Sequence, residues 1–166
     1  MSFVTILMGS ESDWPVMQAC TAVLEQLAID FEVRVTSAHR TPKATFETVQ
    51  DAVERGCAVF ICAAGMAAHL AGAVAAHTTL PVIGVPIDSG PLSGFDALLS
   101  TVQMPGGVPV ATVAVGRAGA KNAAYLAAQI LALNNPSLAQ KLVDDRAANQ
   151  ANVQAQNDRV QAELGR

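Results

Sequence analysis

The chain has 166 residues, of which 51% are hydrophobic and 14% are charged. This length suffices for one domain whose core needs neither disulfides nor a metal ion, and the net charge of −4 argues against binding to nucleic acid or to anionic membranes. The apolar content exceeds what a monomer of this size usually buries, and burial between subunits would explain the excess.

The first part of the chain alternates apolar runs with segments of helical periodicity. The unbroken apolar run 3–8 predicts a strand buried on both faces, and Ser12 or Asp13 is expected to cap the helix that follows. Residues 31–36 alternate between apolar and polar, which is typical of a half-exposed strand at a sheet edge. The apolar segment 58–64 predicts a third strand.

The second part continues the alternation. A short helix of small residues leads to a fourth strand over 81–85, and a helix over 95–102 precedes a fifth strand over 110–115. Residues 116–119 predict a turn into a helix that runs to about Leu133. Beyond Asp144 the periodicity weakens, so this tail is either a helix that packs on a neighbouring subunit or a frayed end.

Five strands separated by helices predict an α/β three-layer sandwich with a parallel sheet. The polar second strand and the apolar first and third strands favour the flavodoxin-like order 2-1-3-4-5, in which strand 2 forms an edge. We expect one domain over 1–166, with a helical C-terminal extension over about 134–166. Ligands bind such sheets beyond the carboxyl ends of the strands, at the switch point between strands 1 and 3.

Three loops should meet there, at 9–13, 37–41 and 64–69, and we call them the switch-point loops. The loops 86–93 and 104–108 are expected nearby. The first combines a glycine, two serines and a carboxylate at a strand-to-helix turn. It matches neither GxGxxG nor a Walker loop, so no dinucleotide or P-loop nucleotide is indicated. Taken alone, it is either a compact polar binding site or an ordinary capped turn.

The second switch-point loop carries the strongest candidates. Arg40 comes just before Thr41-Pro42, a pair that predicts a helix start, and a guanidinium at a helix N-terminus suits a phosphate. His39 is a candidate for proton transfer because an imidazole can change its charge near neutral pH. The alternative is an exposed loop histidine beside a surface arginine. The position at the switch point favours a functional role.

The remaining histidines and the cysteines give little support to a metal site. His69 is expected to be half-buried and satisfied, or to support the site, and His77 to be structural. Cys20, Cys57 and Cys62 lie in or beside apolar stretches without CxxC or Cys/His spacing, which predicts reduced core thiols. With no signal peptide and no membrane span indicated, we expect a cytoplasmic location.

Four motifs together resemble one family. They are Gly-Ser-Glu-Ser-Asp-Trp at 9–14, Ser-Ala-His-Arg-Thr-Pro at 37–42, Ala-Ala-His-Leu at 67–70 and Val-Gln-Met-Pro-Gly-Gly-Val-Pro at 102–109. Their order and spacing match over roughly Val4 to Leu142, which is far more specific than any one motif. The chain resembles the N5-carboxyaminoimidazole ribonucleotide mutases, the catalytic subunits of class I phosphoribosylaminoimidazole carboxylase in purine synthesis.

The resemblance implies a flavodoxin-like homo-octamer with active sites at subunit contacts and with neither cofactor nor metal. The implied substrate is a ribonucleotide whose carboxyl group moves from the exocyclic nitrogen to ring carbon C4. His39 would be the general acid and base, Asp13 would hold the ribose, Arg40 would hold the phosphate, and Ser10 would also contact the substrate. The residues implied to complete the pocket are Ser12, Ser37, Gly65, His69 and Leu70.

The chain departs from the family pattern at two positions and leaves two alternatives open. Met66 stands in what is commonly a glycine-rich run, where its side chain would narrow the CO2 pocket, and Ala71 stands where proline is frequent. One alternative is direct carboxylation of aminoimidazole ribonucleotide by CO2, as class II relatives perform it. The other is a non-catalytic module that binds FMN or a nucleotide, although no aromatic residue flanks the phosphate loop to stack a flavin.

Overall fold

A parallel sheet forms the centre of the structure, a computed structural model that describes residues 2–165. The strands are β1 (Phe3–Met8), β2 (Phe31–Val35), β3 (Cys57–Gly65), β4 (Val82–Ile87) and β5 (Ala111–Thr112). They pair in the order β2-β1-β3-β4-β5, and every pair is parallel. The predicted α/β fold with the flavodoxin-like order 2-1-3-4-5 is confirmed.

Helices connect the strands and follow the last of them. Within the described residues they are α1 (Trp14–Gln26), α2 (Pro42–Glu54), α3 (Leu70–Ala75), α4 (Phe95–Val102), α5 (Gly116–Ala132) and α6 (Pro136–Glu163). Crossovers between parallel strands are right-handed. From β1 to β2 the chain moves across the sheet in one direction, whereas from β2 through β3 and β4 to β5 it moves in the opposite direction. With the same handedness at each crossover, α1 lies on one face of the sheet while α2, α3 and α4 lie on the other.

The strand positions follow from the residue pattern. β1 pairs with β2 on one side and with β3 on the other, and it is buried from Val4 to Met8. β2 is paired on one side only and is half-buried to exposed, as its alternating sequence predicts. A core cluster that includes Leu7, Val49, Phe60 and Val74 fills the space between the sheet and helices α2 and α3.

The fifth strand is shorter than the predicted segment 110–115, because only Ala111 and Thr112 pair with β4. Pro109 lies just before it and has no N–H to donate to a ladder. Gly116 lies after it with φ at +73°, a conformation that favours glycine, and it turns the chain into α5. The strand is therefore limited at both ends.

The residues beyond Asp144 are helical, so they do not form a frayed end. α6 runs unbroken over 28 residues, and the side chain of Asn135 caps it by accepting the N–H of Leu138 at 3.1 Å. Leu138 is the buried residue of this helix, and most of its other residues are exposed. The weak periodicity therefore reflects exposure and not fraying.

The chain divides into two compact units, the first ending at Ala127 and the second beginning at Ala128. The first contains the sheet and helices α1 to α4. The second contains α6. Among the described residues, none of the helices combines the length and apolar character needed to cross a bilayer.

Several apolar side chains of helices α2 and α4 are exposed. On α2, Val49 is buried, but Phe46 is 43% exposed and Val53 is 37% exposed. On α4, Phe95, Leu99 and Val102 are also exposed and recur at helical spacing. Periodicity identifies an apolar face but does not show what covers it.

Candidate active site

The switch-point loops line one cavity of about 580 Å³ at the carboxyl ends of β1, β2 and β3. Each of the nine site residues predicted from the sequence lies on its wall. They are Ser10, Ser12, Asp13, Ser37, His39, Arg40, Gly65, His69 and Leu70. The remaining lining residues are Gly9, Ala38, Ala64, Met66, Ala67 and Ser89. The predicted convergence of these three distant segments is confirmed.

In the first loop, Asp13 is the N-cap residue of α1, one of the two residues expected there, although its side chain forms no capping hydrogen bond to that helix. Ser10 caps the preceding 3-10 turn over Glu11–Asp13, where its side chain accepts the N–H of Ser12 at 3.3 Å. The Asp13 carboxylate accepts the N–H of Ser10 at 3.2 Å. This reciprocal pair of bonds holds the Asp13 carboxylate against the turn.

The Asp13 carboxylate is nearly buried, with 4% of the residue exposed. Burial raises the pKa of Asp13 because it disfavours the charged form, and the hydrogen bond from the Ser10 N–H partly opposes this effect. A carboxylate accepts several hydrogen bonds, so further donors from a ligand would stabilise its ionised form. The residue is suited to binding hydroxyl groups.

The second loop is closed by hydroxyl contacts around Thr41. Its Oγ1 accepts the Ser37 N–H at 3.0 Å and donates to the Ser37 carbonyl at 3.1 Å. Beneath it, the hydroxyls of Thr36 and Thr45 meet at 2.7 Å in a buried contact. The turn that carries His39 is therefore fixed on both sides.

Arg40 joins the second loop to the first. Its Nη2 donates to the carbonyl of Gly9 at 3.3 Å, while its backbone N–H donates to Ser37 Oγ at 3.1 Å. Within the described part of the chain, no carboxylate forms an ion pair with this guanidinium. Its charge is therefore available to an anion at the start of α2.

His39 and His69 join the second loop to the third. The two rings are nearly perpendicular, at 83°, with centroids 4.7 Å apart. His39 Nε2 lies 2.5 Å from His69 Nδ1. The sequence placed both residues at the switch point, but nothing in it indicated that they touch.

The third loop requires glycine at position 65. A Cβ on Gly65 would lie 1.7 Å from Ser89 Oγ, closer than any real contact. Ser89 follows β4 and lines the cavity. It lies in the Pro- and Gly-rich loop 86–93, which was expected near this edge of the sheet, but the sequence did not single it out as a site residue. Met66 adopts a φ of +54°, a conformation that favours glycine, and this residue is 58% exposed at the cavity.

The third histidine and the three cysteines do not line the cavity. His77 packs edge-on against Phe46 with centroids 5.0 Å apart. The cysteines are free and buried as predicted, and burial raises the pKa of Cys20 to about 12. In the described range 2–165, no group of three or more His, Cys, Asp or Glu side chains is placed to hold a metal ion.

Fold and site together define a flavodoxin-like α/β protein with a polar small-molecule cavity at the switch point of its sheet. A family model described as AIR carboxylase matches residues 3–152, and the chain belongs to this family. The resemblance carried by the four motifs is thereby confirmed.

Curated relatives cover most of the chain. A Bacillus subtilis protein named N5-carboxyaminoimidazole ribonucleotide mutase is 52% identical over 157 residues, covering 95% of this chain and 97% of the relative. An Escherichia coli K12 protein of the same name is 53% identical over 145 residues, covering 87% and 86% of the two chains. A solved structure titled Treponema denticola PurE matches with a TM-score of 0.85 and 28% identity, covering 96% of this chain and 98% of that one.

Proposed function

We propose that the chain is an N5-carboxyaminoimidazole ribonucleotide mutase, which forms 4-carboxy-5-aminoimidazole ribonucleotide in purine biosynthesis. The observation that carries this proposal is the convergence on one cavity of the nine site residues that the resemblance implies. Relatives that bear the mutase name at 52–53% identity over most of the chain support it further.

Substrate binding is assigned to the first two switch-point loops. Arg40 would hold the phosphate, because its guanidinium lacks a carboxylate partner among the described residues and lies at the start of α2. Asp13 would accept the ribose hydroxyls, and these donors would offset the cost of its burial. The serines and the third loop complete the pocket in this proposal, through Ser10, Ser12, Ser37, Gly65, His69 and Leu70.

The chemistry asks the protein to move one proton and to retain CO2. His39 protonates the exocyclic nitrogen, the N–carboxyl bond breaks with its electron pair returning to that nitrogen, and the carboxylate leaves as neutral CO2. The enamine-like C4 then attacks CO2, and His39 removes the proton from C4. Positioned proton transfer of this kind supplies about 100- to 10,000-fold. The cavity holds CO2 beside C4, which adds a proximity term.

The working unit is proposed to be a cytoplasmic homo-octamer of single catalytic domains over 1–166. The exposed apolar residues Phe95, Leu99 and Val102 of α4 support assembly, because a monomer gains nothing from exposing them at helical spacing. Light scattering tests the assembly directly. A mass of eight chains is expected, and a monomeric mass would contradict it.

Two assays separate this function from its alternatives. Purified protein is offered either N5-carboxyaminoimidazole ribonucleotide or aminoimidazole ribonucleotide with bicarbonate, and the 4-carboxy product is measured. We expect turnover of the N-carboxylated substrate. Turnover of the second mixture alone would assign direct carboxylation, and no turnover of either together with a flavin absorbance spectrum would assign a flavin-binding module.

A further inference from the structure

The contact between His39 and His69 restricts where their protons lie. With 2.5 Å between His39 Nε2 and His69 Nδ1, two N–H groups cannot face each other, and two bare lone pairs would repel. One of these nitrogens therefore donates and the other accepts. The contact fixes a pair of tautomers and not only a pair of ring positions.

The acid–base role proposed for His39 decides the direction of this hydrogen bond. Because Nε2 is engaged with His69, Nδ1 is the nitrogen that remains to exchange a proton with a substrate. Within residues 2–165 the hydrogen bonds of the structure leave that Nδ1 unoccupied. To accept a proton, Nδ1 must be bare, so the neutral ring carries its proton on Nε2 and donates it to His69 Nδ1. His69 then carries its own proton on Nε2.

We propose that His69 is a positioning residue that accepts this hydrogen bond throughout the reaction and so keeps His39 in the reactive tautomer. This inference rests on the proposed function. When protonated His39 gives its Nδ1 proton to the exocyclic nitrogen, the bond from Nε2–H to His69 is unchanged. When Nδ1 later takes the proton from C4, the same bond persists and the initial charge of His39 is restored. His69 stays neutral, and no net proton is gained or lost.

The backbone around His69 suits a fixed acceptor. Its N–H donates to the carbonyl of Ala67 at 2.9 Å, and its carbonyl accepts the N–H of Ala73 at 2.9 Å in the first turn of α3. Both backbone groups are therefore engaged. His39 is held equally by the hydroxyl-closed turn of the second loop. Two anchored loops present the rings to each other, which is the arrangement in which an orienting partner fixes a proton position.

The tautomer is tested without reference to activity. The chain contains three histidines, so protein labelled with ¹⁵N-histidine gives three rings to assign by nitrogen NMR, and His77→Asn and His69→Asn identify two of them. We expect a protonated Nε2 on His39 and a bare Nδ1 on His69 in the wild-type protein. A bare Nε2 on neutral His39 would overturn the proposal.

Kinetics test the consequence of the contact. His69→Leu removes the acceptor, whereas His69→Asn retains an amide oxygen close to the position of Nδ1. We expect His69→Leu to lower kcat by about 10- to 100-fold with little change in KM, as for other partners that orient an imidazole. His69→Asn should recover most of this loss, and His77→Leu serves as the control outside the cavity.

The result that overturns this inference differs from the one that overturns the function. Normal kcat in His69→Leu, or a rise in KM alone, would show that His69 does not position His39 even though the mutase activity stands. Absence of mutase activity in the wild-type protein would instead remove the proposed function and, with it, the reason for choosing this tautomer.

Discussion

The switch-point loops and helix α6 use their polar side chains in opposite ways. In the loops, side-chain contacts join residues far apart in sequence, with Arg40 reaching Gly9 across 31 positions and His39 reaching His69 across 30. In α6, side-chain bonds such as Gln140 to Asp144 span four positions of the same helix. The loops are therefore built to place groups around a cavity, whereas α6 is stabilised locally.

This difference predicts where substitutions act. A change in a switch-point loop alters groups that several segments hold in place together, so it should affect binding, turnover or the cavity itself. A change on the exposed surface of α6 should affect little beyond its own turn of helix.

His39→Asn should give the largest loss. We expect kcat to fall by about 100- to 10,000-fold, the usual contribution of positioned proton transfer, while ligand affinity changes little. Steady-state turnover and calorimetric binding of the product measure the two effects separately. Turnover near that of the wild type would remove His39 from the acid–base role.

Arg40→Ala should weaken binding more than it slows the chemistry. Loss of a charged hydrogen bond to phosphate costs about 1.5–3 kcal/mol, which raises KM by roughly 10- to 150-fold. Arg34→Ala is a matched control. Arg34 lies on β2, the strand that leads into the second loop, but it does not line the cavity. An unchanged KM in Arg40→Ala would rule out the phosphate contact.

Gly65→Ala should disturb the third loop. The new Cβ would collide with Ser89 Oγ at 1.7 Å, and such overpacking costs about 1–3 kcal/mol in the free energy of unfolding. The double variant Gly65→Ala/Ser89→Ala removes the colliding oxygen and should recover part of the stability in denaturant titrations. Equal stability of the single and double variants would show that Ser89 is not the obstacle.

Asp13→Asn should stabilise the fold while impairing substrate binding. Burial holds the pKa of Asp13 above its unfolded value of 3.8, so ionisation in the folded state costs stability as the pH rises through the folded pKa. At neutral pH the variant should therefore unfold at a higher denaturant midpoint than the wild type. The gain should vanish below about pH 3, where the carboxyl is neutral in both states. A gain independent of pH would contradict the assignment.

Val153→Ala should have the smallest effect. Val153 is 64% exposed on α6, and exposed substitutions usually change the free energy of unfolding by about 0.5 kcal/mol or less. Turnover should be unchanged in the same preparation. A large loss of stability that depends on protein concentration would show that α6 is covered by another subunit.

The sequence predicted the strand order of the sheet and the position of the site, but it did not predict individual contacts such as that between Ser89 and Gly65. The hydrophobic patterns of β1 and β2 predict that β1 is buried and that β2 is partly exposed. In a parallel sheet the loops after these strands then lie at the same edge. The family resemblance supplied nine of the residues that line the cavity. Ser89 was missed because its closeness to Gly65 depends on the three-dimensional course of two loops.

Other features depend on interactions that periodicity does not encode. Ser10 acts as a cap because a 3-10 turn over Glu11–Asp13 precedes α1, and apolar periodicity does not indicate such a turn. Phe46 and Val53 lie on the apolar face of α2 but outside the part that the sheet covers. α6 is continuous although its apolar pattern fades, since local hydrogen bonds and a capped start suffice for it.

The central claim is that the carboxyl group moves within the cavity, and isotope retention tests it most directly. N5-carboxyaminoimidazole ribonucleotide carrying ¹³C in its carboxyl group is converted in buffer that contains unlabelled bicarbonate, and the product is examined by mass spectrometry before solution exchange. The account predicts that the ¹³C is kept at the C4 carboxyl group. A product that carries the isotopic composition of the buffer would contradict it.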